Sequence, residues 1–310
     1  MFITELMQLI DEQVRSFTFD AYHALVADHA NSIRIIVILY FIFLGYRCLL
    51  AKTNFSYATF LEHSLMVSFC YFAATHWSFY SLFIYDLAIA LPNALSVTLV
   101  SVIPNVPNEG NAIELLEYLW YSGLDIAATL WGSVSISSLH QGLMALGVLV
   151  ITVLLVGYGL IVISLAKMIL AIGLSLAPLF ILLYLFKGSE SLTIGWLRVI
   201  LTVIFKQIII YAMIALVYTF SFNTVEAMLN QPQLDMVDVS TFLLLMVISL
   251  GLFFNATQVA TTLGESLCTG VNYYADKIRS HVKTHMVEIR ESLSIQDYQH
   301  SHPIQRRESL

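Results

Sequence analysis

His281 and His285 stand four residues apart with Glu288 three further on, a spacing that stacks three side chains on one helix face as ligands of a divalent metal are stacked. The surrounding tail is polar and charged, and ordinary solvated helix positions account for the three residues without any metal. Ser175, with His76 or His140, has the residue types of a hydrolase, but "GLSLAP" lacks the frame of a nucleophile elbow. "GYGLIV" at 157–162 is not GxGxxG, and no Walker A loop occurs, so a nucleotide site has no support. Cys48, Cys70 and Cys268 are odd in number and lie in or beside apolar segments, which suits small buried hydrophobes better than disulfides or metal ligands. The expectation is a protein without catalysis, cofactor or metal.

The elements around these residues explain why. The chain has 310 residues, 58% hydrophobic and 11% charged, where soluble domains are about a quarter charged. A soluble core of this size cannot hide that much apolar surface. Several windows reach the roughly 20 apolar residues that cross a hydrocarbon core. The fold class expected is all-α, a polytopic helical membrane protein.

Along the chain, residues 1–32 read as an amphipathic helix, with Ile3, Met7, Ile10, Val14, Phe17, Ala21 and Leu25 on one face and Glu5, Asp11, Glu12 and Asp20 on the other. A partner helix or sister subunit is expected over that apolar face. The start lacks a basic n-region, so no cleaved signal is expected. Residues 33–84 hold two crossings, Ile33–Leu50 and about Ser64–Ile84. Residues 85–142 form a long central loop broken by the Pro, Gly and Asn cluster at 102–111, followed by a helix with Ile113, Leu116, Trp120 and Leu124 on one side and the acids on the other. Residues 143–262 are an apolar core; its first 44 residues, Leu143–Phe186, would make a helix of about 66 Å. Residues 263–310 are a basic tail with an amphipathic helix and a disordered end.

Lys and Arg are unevenly placed. None lies between Thr53 and Ala166, and none in the loop 223–238. Basic loops stay cytoplasmic, so the stretch 86–140 and the loop 223–238 are expected in the periplasm, the tail and the turn around Lys187 in the cytoplasm. With the N-terminus outside, the crossings are odd in number: five, with Met168–Phe186 the third, 143–166 a helix on the outer side, and crossings at Ile194–Phe222 and Val239–Ala260. Six crossings, with both halves of 143–186 spanning, is the alternative.

Helices associate in lipid through small residues. Gly173 with Ala177, Ala171 with Ser175, and Ala256, Ala260 and Gly264 offer such stripes, for packing within the chain or between subunits. Lys206 is either an interfacial anchor or an intramembrane charge.

The stretch Leu165–Tyr218 resembles the core of the TrbL family, the polytopic inner-membrane subunits of bacterial type IV secretion and conjugation machines, sixth in the VirB naming. The features that match are the apolar helix ending in Ala177-Pro178-Leu179-Phe180, the polar turn, and Gly195-Trp196-x-Arg198 before another crossing. The resemblance implies a channel or scaffold subunit in the inner membrane, acting as a homo-oligomer in pilus biogenesis and in translocation of DNA or protein. It implies as partners the pilin, the minor pilus or stalk subunit, the bitopic scaffold subunit and cytoplasmic ATPases. Trp196 and Arg198 carry over as turn residues that matter for assembly, with Trp suited to the head-group boundary and Arg to a phosphate or carboxylate. The central stretch without Lys or Arg suits protein better than DNA phosphate, through Trp120, Tyr121 and Trp131. A transporter or ion channel acting alone is the alternative function.

Overall fold

The computed structural model describes residues 2–50, 57–103, 110–132, 134, 139–186, 188–229, 236–264 and 266. The tail and its His281, His285 and Glu288 lie outside the described residues, and residues up to Gly264 form one compact unit. Among the described residues there are helices and no strands. They are α1 Phe2–Asp28, α2 Ala30–Leu49, α3 Tyr57–Thr75, α4 Trp77–Tyr80, a π turn Ser81–Tyr85, α5 Asp86–Ser101, α6 Ala112–Gly132, α7 Leu139–Ser175, α8 Ala177–Leu183 and α9 Glu190–Leu229. The last, α10, is Met236–Gly264.

Among the described residues, five helical stretches are long and apolar enough to cross a membrane: Ala30–Arg47, Trp77–Ser101, Leu139–Ser175, Glu190–Glu226 and Met236–Gly264. The count agrees with the expectation; two of the segments differ. The second crossing expected at 64–84 is interrupted at His76, and the apolar span is Trp77–Ser101, which runs into the stretch expected as loop. The third is a single helix of 37 residues, Leu139–Ser175, about 56 Å long. It contains no hairpin, so six crossings through two halves of 143–186 have no turn to use, and 143–166 is no separate outer helix.

The central stretch 85–142 therefore carries two helices, α5 and α6. Their ends follow the expected break. The Asn111 side chain accepts from the amides of Ile113 at 2.9 Å and Glu114 at 3.1 Å, which supplies the N-cap that a helix start needs. On α6 the buried face is Leu115, Leu116, Leu119, Ile126 and Leu130, and Glu117 is buried with it. The expectation that the acids lie opposite fails at Glu117. The reason is α1: the Thr4 hydroxyl and, at 3.3 Å, the Thr4 amide donate to Glu117 Oε2, an anion held at a helix N-terminus.

Of the two expected coverings of the apolar face of α1, a partner helix or a sister subunit, the first is found: α6 and α7 of this chain pack on it. Ile3 and Met7 are buried as expected, but Phe17 is 52% exposed and the face continues through Thr18 and Tyr22. Outward, α2 presents Ile35, Ile38, Leu39, Ile42 and Phe43 and α10 presents Leu244, Val247, Ile248 and Phe254, all exposed. Apolar patches of that extent suit a lipid surrounding.

Candidate functional site

Two constructions stand out, both built on α7 and α9. The first is the turn between them. The Trp196 indole N–H donates to the carbonyl of Gly173 at 2.8 Å, and its ring stacks on Phe180 with centroids 5.6 Å apart. Thr193 donates to the carbonyl of Phe180 at 2.6 Å and Ser189 to that of Leu183 at 2.7 Å. These bonds close the chain back onto α8, where Pro178 near the helix start has no N–H to lose. A Cβ on Gly173 would sit 2.5 Å from Ile200 Cδ1, the free end of a side chain that can turn aside. Gly195 meets nothing within 4 Å, so the glycine beside Trp196 is not a packing requirement. Arg198 is exposed beyond the clamp.

The small-residue stripes are used inside the chain. Ala171, Ser175 and Ala177 are buried, as are Ala256, Ala260 and Gly264. A Cβ on Gly264 would lie 2.7 Å from the Cα of Thr202, so α10 and α9 touch there backbone to backbone. Lys206 is partly exposed. Of the three aromatics, Tyr121 and Trp131 are exposed and Trp120 packs on the core. Ser175 donates to the carbonyl of Ile172 in its own helix at 2.8 Å.

The second construction is one that sequence reasoning missed. Helix α1 packs on α7, α5 on α9, and α7 on α9; α1 and α5 are thus the walls of a trough whose floor is α7 and α9. One cavity of about 330 Å³ there is lined by Asp11, Arg15, Tyr85, Asp86, Lys167 and Gln207, among others. A second, of about 280 Å³, is lined by Thr4, Gln8, Asn93, Ser96, Asn111 and Tyr211, among others. Asp11 and Asn93 line both. Lys167 is buried and its Nζ lies 2.5 Å from Asp11 Oδ1, a carboxylate about half exposed. Lys167 directly precedes the crossing expected at Met168–Phe186, and it is paired within the bundle. Sequence held a signal for this, because a lysine with apolar turns on both sides needs an acid from elsewhere.

The local chain sets the trough's second wall. The π turn at Ser81–Tyr85 inserts a residue into the helix, after which Tyr85, Ile89, Asn93 and Ser96 share the side that lines it. Three buried polar atoms there have no hydrogen-bond partner: Tyr85 Oη, Gln207 Nε2 and Tyr211 Oη. At one end Tyr22 stacks on Tyr80 at 4.9 Å, with Trp77 5.1 Å from Tyr22, and Tyr80 donates to the carbonyl of Leu174 at 2.8 Å.

A family model described as TrbL/VirB6 plasmid conjugal transfer protein matches residues 37–256. None of the curated proteins matches the chain.

Proposed function

Since the chain belongs to the TrbL/VirB6 plasmid conjugal transfer family, and is thereby a multi-pass membrane component of conjugal transfer and type IV secretion, we propose that it is an inner-membrane channel or scaffold subunit supporting pilus assembly and the passage of DNA or protein. The observation that carries this reading is the family match across most of the chain together with the five apolar spans among the described residues. Several copies act together, with the pilin, the stalk subunit, the bitopic scaffold subunit and the ATPases as partners. The N-terminus and the loops without Lys or Arg face the periplasm and the basic tail faces the cytoplasm, as the charge bias favours. Tyr121 and Trp131, exposed on α6, meet a stalk or pilin subunit; Arg198, past the Trp196 clamp, meets a head-group phosphate or a partner's carboxylate.

The test is complementation of a deletion strain for conjugal transfer. Wild type restores transfer and co-purifies with pilus and scaffold subunits; Trp131→Ala with Tyr121→Ala inserts normally but loses stalk or pilin. A protein that restores transfer without co-purifying with any machine subunit sinks the reading. Reporter fusions at Gly188 and Asn230 check orientation, with cytoplasmic signal expected at the first and periplasmic at the second.

A further inference from the structure

Helix α1 is too polar to count among the apolar spans, yet it lies along one of them for most of its length. Tyr22 stacks on Tyr80 near the start of Trp77–Ser101. Arg15 and Asp11 share a cavity with Asp86 and Asn93 in its middle, and Thr4 and Gln8 share one with Ser96 and Val97 toward its end. From Tyr22 to Thr4 the helix rises about 27 Å, nearly the thickness of a hydrocarbon core. Whatever depth Trp77–Ser101 has, α1 and the trough between them share it.

Acyl chains offer no hydrogen bonds, and buried polar groups require them. The trough holds Asp11, Arg15, Asp86 and Lys167, two charges of each sign, and the three buried polar atoms of Tyr85, Gln207 and Tyr211 that no protein group satisfies. Gln207 is 3% exposed, Tyr85 4% and Tyr211 1%, so each has given up bulk water without gaining a protein partner. The balance of charge suits neither an anion nor a cation; it suits water, which donates and accepts alike.

We propose that the trough is a water-filled inlet inside the membrane. It is open at the end lined by Thr4, Gln8, Ser96 and Asn111 and stopped at the other by the Tyr22, Tyr80 and Trp77 rings. Water fills the space beside Tyr85, Gln207 and Tyr211 and hydrates Arg15 and Asp86 at that depth. The inference rests on the chain being embedded in a membrane and not on its secretory partners.

Single cysteines in a chain whose Cys48, Cys70 and Cys268 have been replaced test it with a charged, membrane-impermeant thiol reagent. Asn93 faces the trough, while Leu95, in the same span at almost the same depth, is an exposed apolar residue away from it. Because the reactive species is the thiolate, which needs water, Asn93→Cys reacts about tenfold faster than Leu95→Cys or more. Reaction comes from one face of the membrane only, in right-side-out or in inverted vesicles. Equal rates at the two positions overturn the inlet, and equal rates from both faces overturn its stopper. Which single face reacts bears on the orientation proposed above and leaves the inlet standing. Ala90→Cys against Leu91→Cys repeats the comparison should Asn93→Cys fail to insert.

Discussion

Trp196 and Gln207 lie about three turns apart on α9, and each brings an N–H into an apolar bundle. Trp196 gives its hydrogen to the carbonyl of Gly173 and presses its ring on Phe180; Gln207, more deeply buried, leaves its Nε2 with no partner. The clamp is complete within the protein, and the trough is complete only with something added. The same helix thus joins a dry hinge, which fixes how α7 and α9 return on each other, to a polar seam that the protein alone does not close.

The largest test of that contrast is the Asp11–Lys167 pair. Breaking a fully buried pair costs about 3–5 kcal/mol. Asp11 is about half exposed, so Asp11→Asn is expected to cost somewhat less, about 2–3 kcal/mol. Adding Lys167→Met, which removes the orphaned charge, returns most of the loss. Thermal unfolding of the detergent-solubilised protein measures both; a double variant no better than the single one places the cost elsewhere than in the unpaired lysine.

Next is Gly264, where an added side chain meets the backbone of Thr202, which cannot rotate away. Gly264→Val is expected to lose about 2 kcal/mol by overpacking. Gly195→Ala, in open space, stays within about 1 kcal/mol of wild type on the favourable side, since alanine is the better helix former. Equal loss at both glycines in the same unfolding assay would remove the case for close α9–α10 contact.

At the clamp, Trp196→Phe keeps the stacking on Phe180 and loses the hydrogen bond to Gly173. The expected cost is about 1 kcal/mol, with membrane insertion intact. Trp196→Ala loses both and costs more. If Phe at 196 proves as damaging as Ala, the ring contact contributes nothing and the clamp is the hydrogen bond alone.

The sequence made some of this visible and hid the rest for a physical reason. Hydropathy marks segments that meet lipid, so the all-α class and the number of spans could be read from it, but not the bounds of the second and third; the break at 102–111 was legible from its Pro, Gly and Asn. Trp196 was singled out as a turn residue through the resemblance of Gly195-Trp196-x-Arg198 to the TrbL family, and an indole also suits the head-group boundary. The trough could not be read that way. Asp11 stands on what looks like the solvent face of an amphipathic helix, and Lys167 looks like the end of a crossing. They become partners only because α1 docks along α7, a contact spanning more than half the chain that no local periodicity encodes. Glu117 misled for the same reason: on α6 alone it is a surface acid, and only the incoming N-terminus of α1 makes burying it worthwhile.

Tyr85→Phe gives the smallest effect, and its sign carries the information. The Tyr85 hydroxyl is buried without a protein partner. In a dry trough that hydroxyl is a buried group left unsatisfied, and deleting it stabilises the fold, since such a group costs about 1–3 kcal/mol. In a wet one it bonds to water in the native state as it does when unfolded. Deleting it then removes a water bridge and costs about 0.5 kcal/mol, the low end for one hydrogen bond. The ring, the π turn and the packing against α9 are the same in both cases, so only the occupant of the trough decides the direction. The expected result is the slight loss, read as a lower midpoint in the same unfolding assay; a raised midpoint would mean that the seam between α1 and α5 is empty.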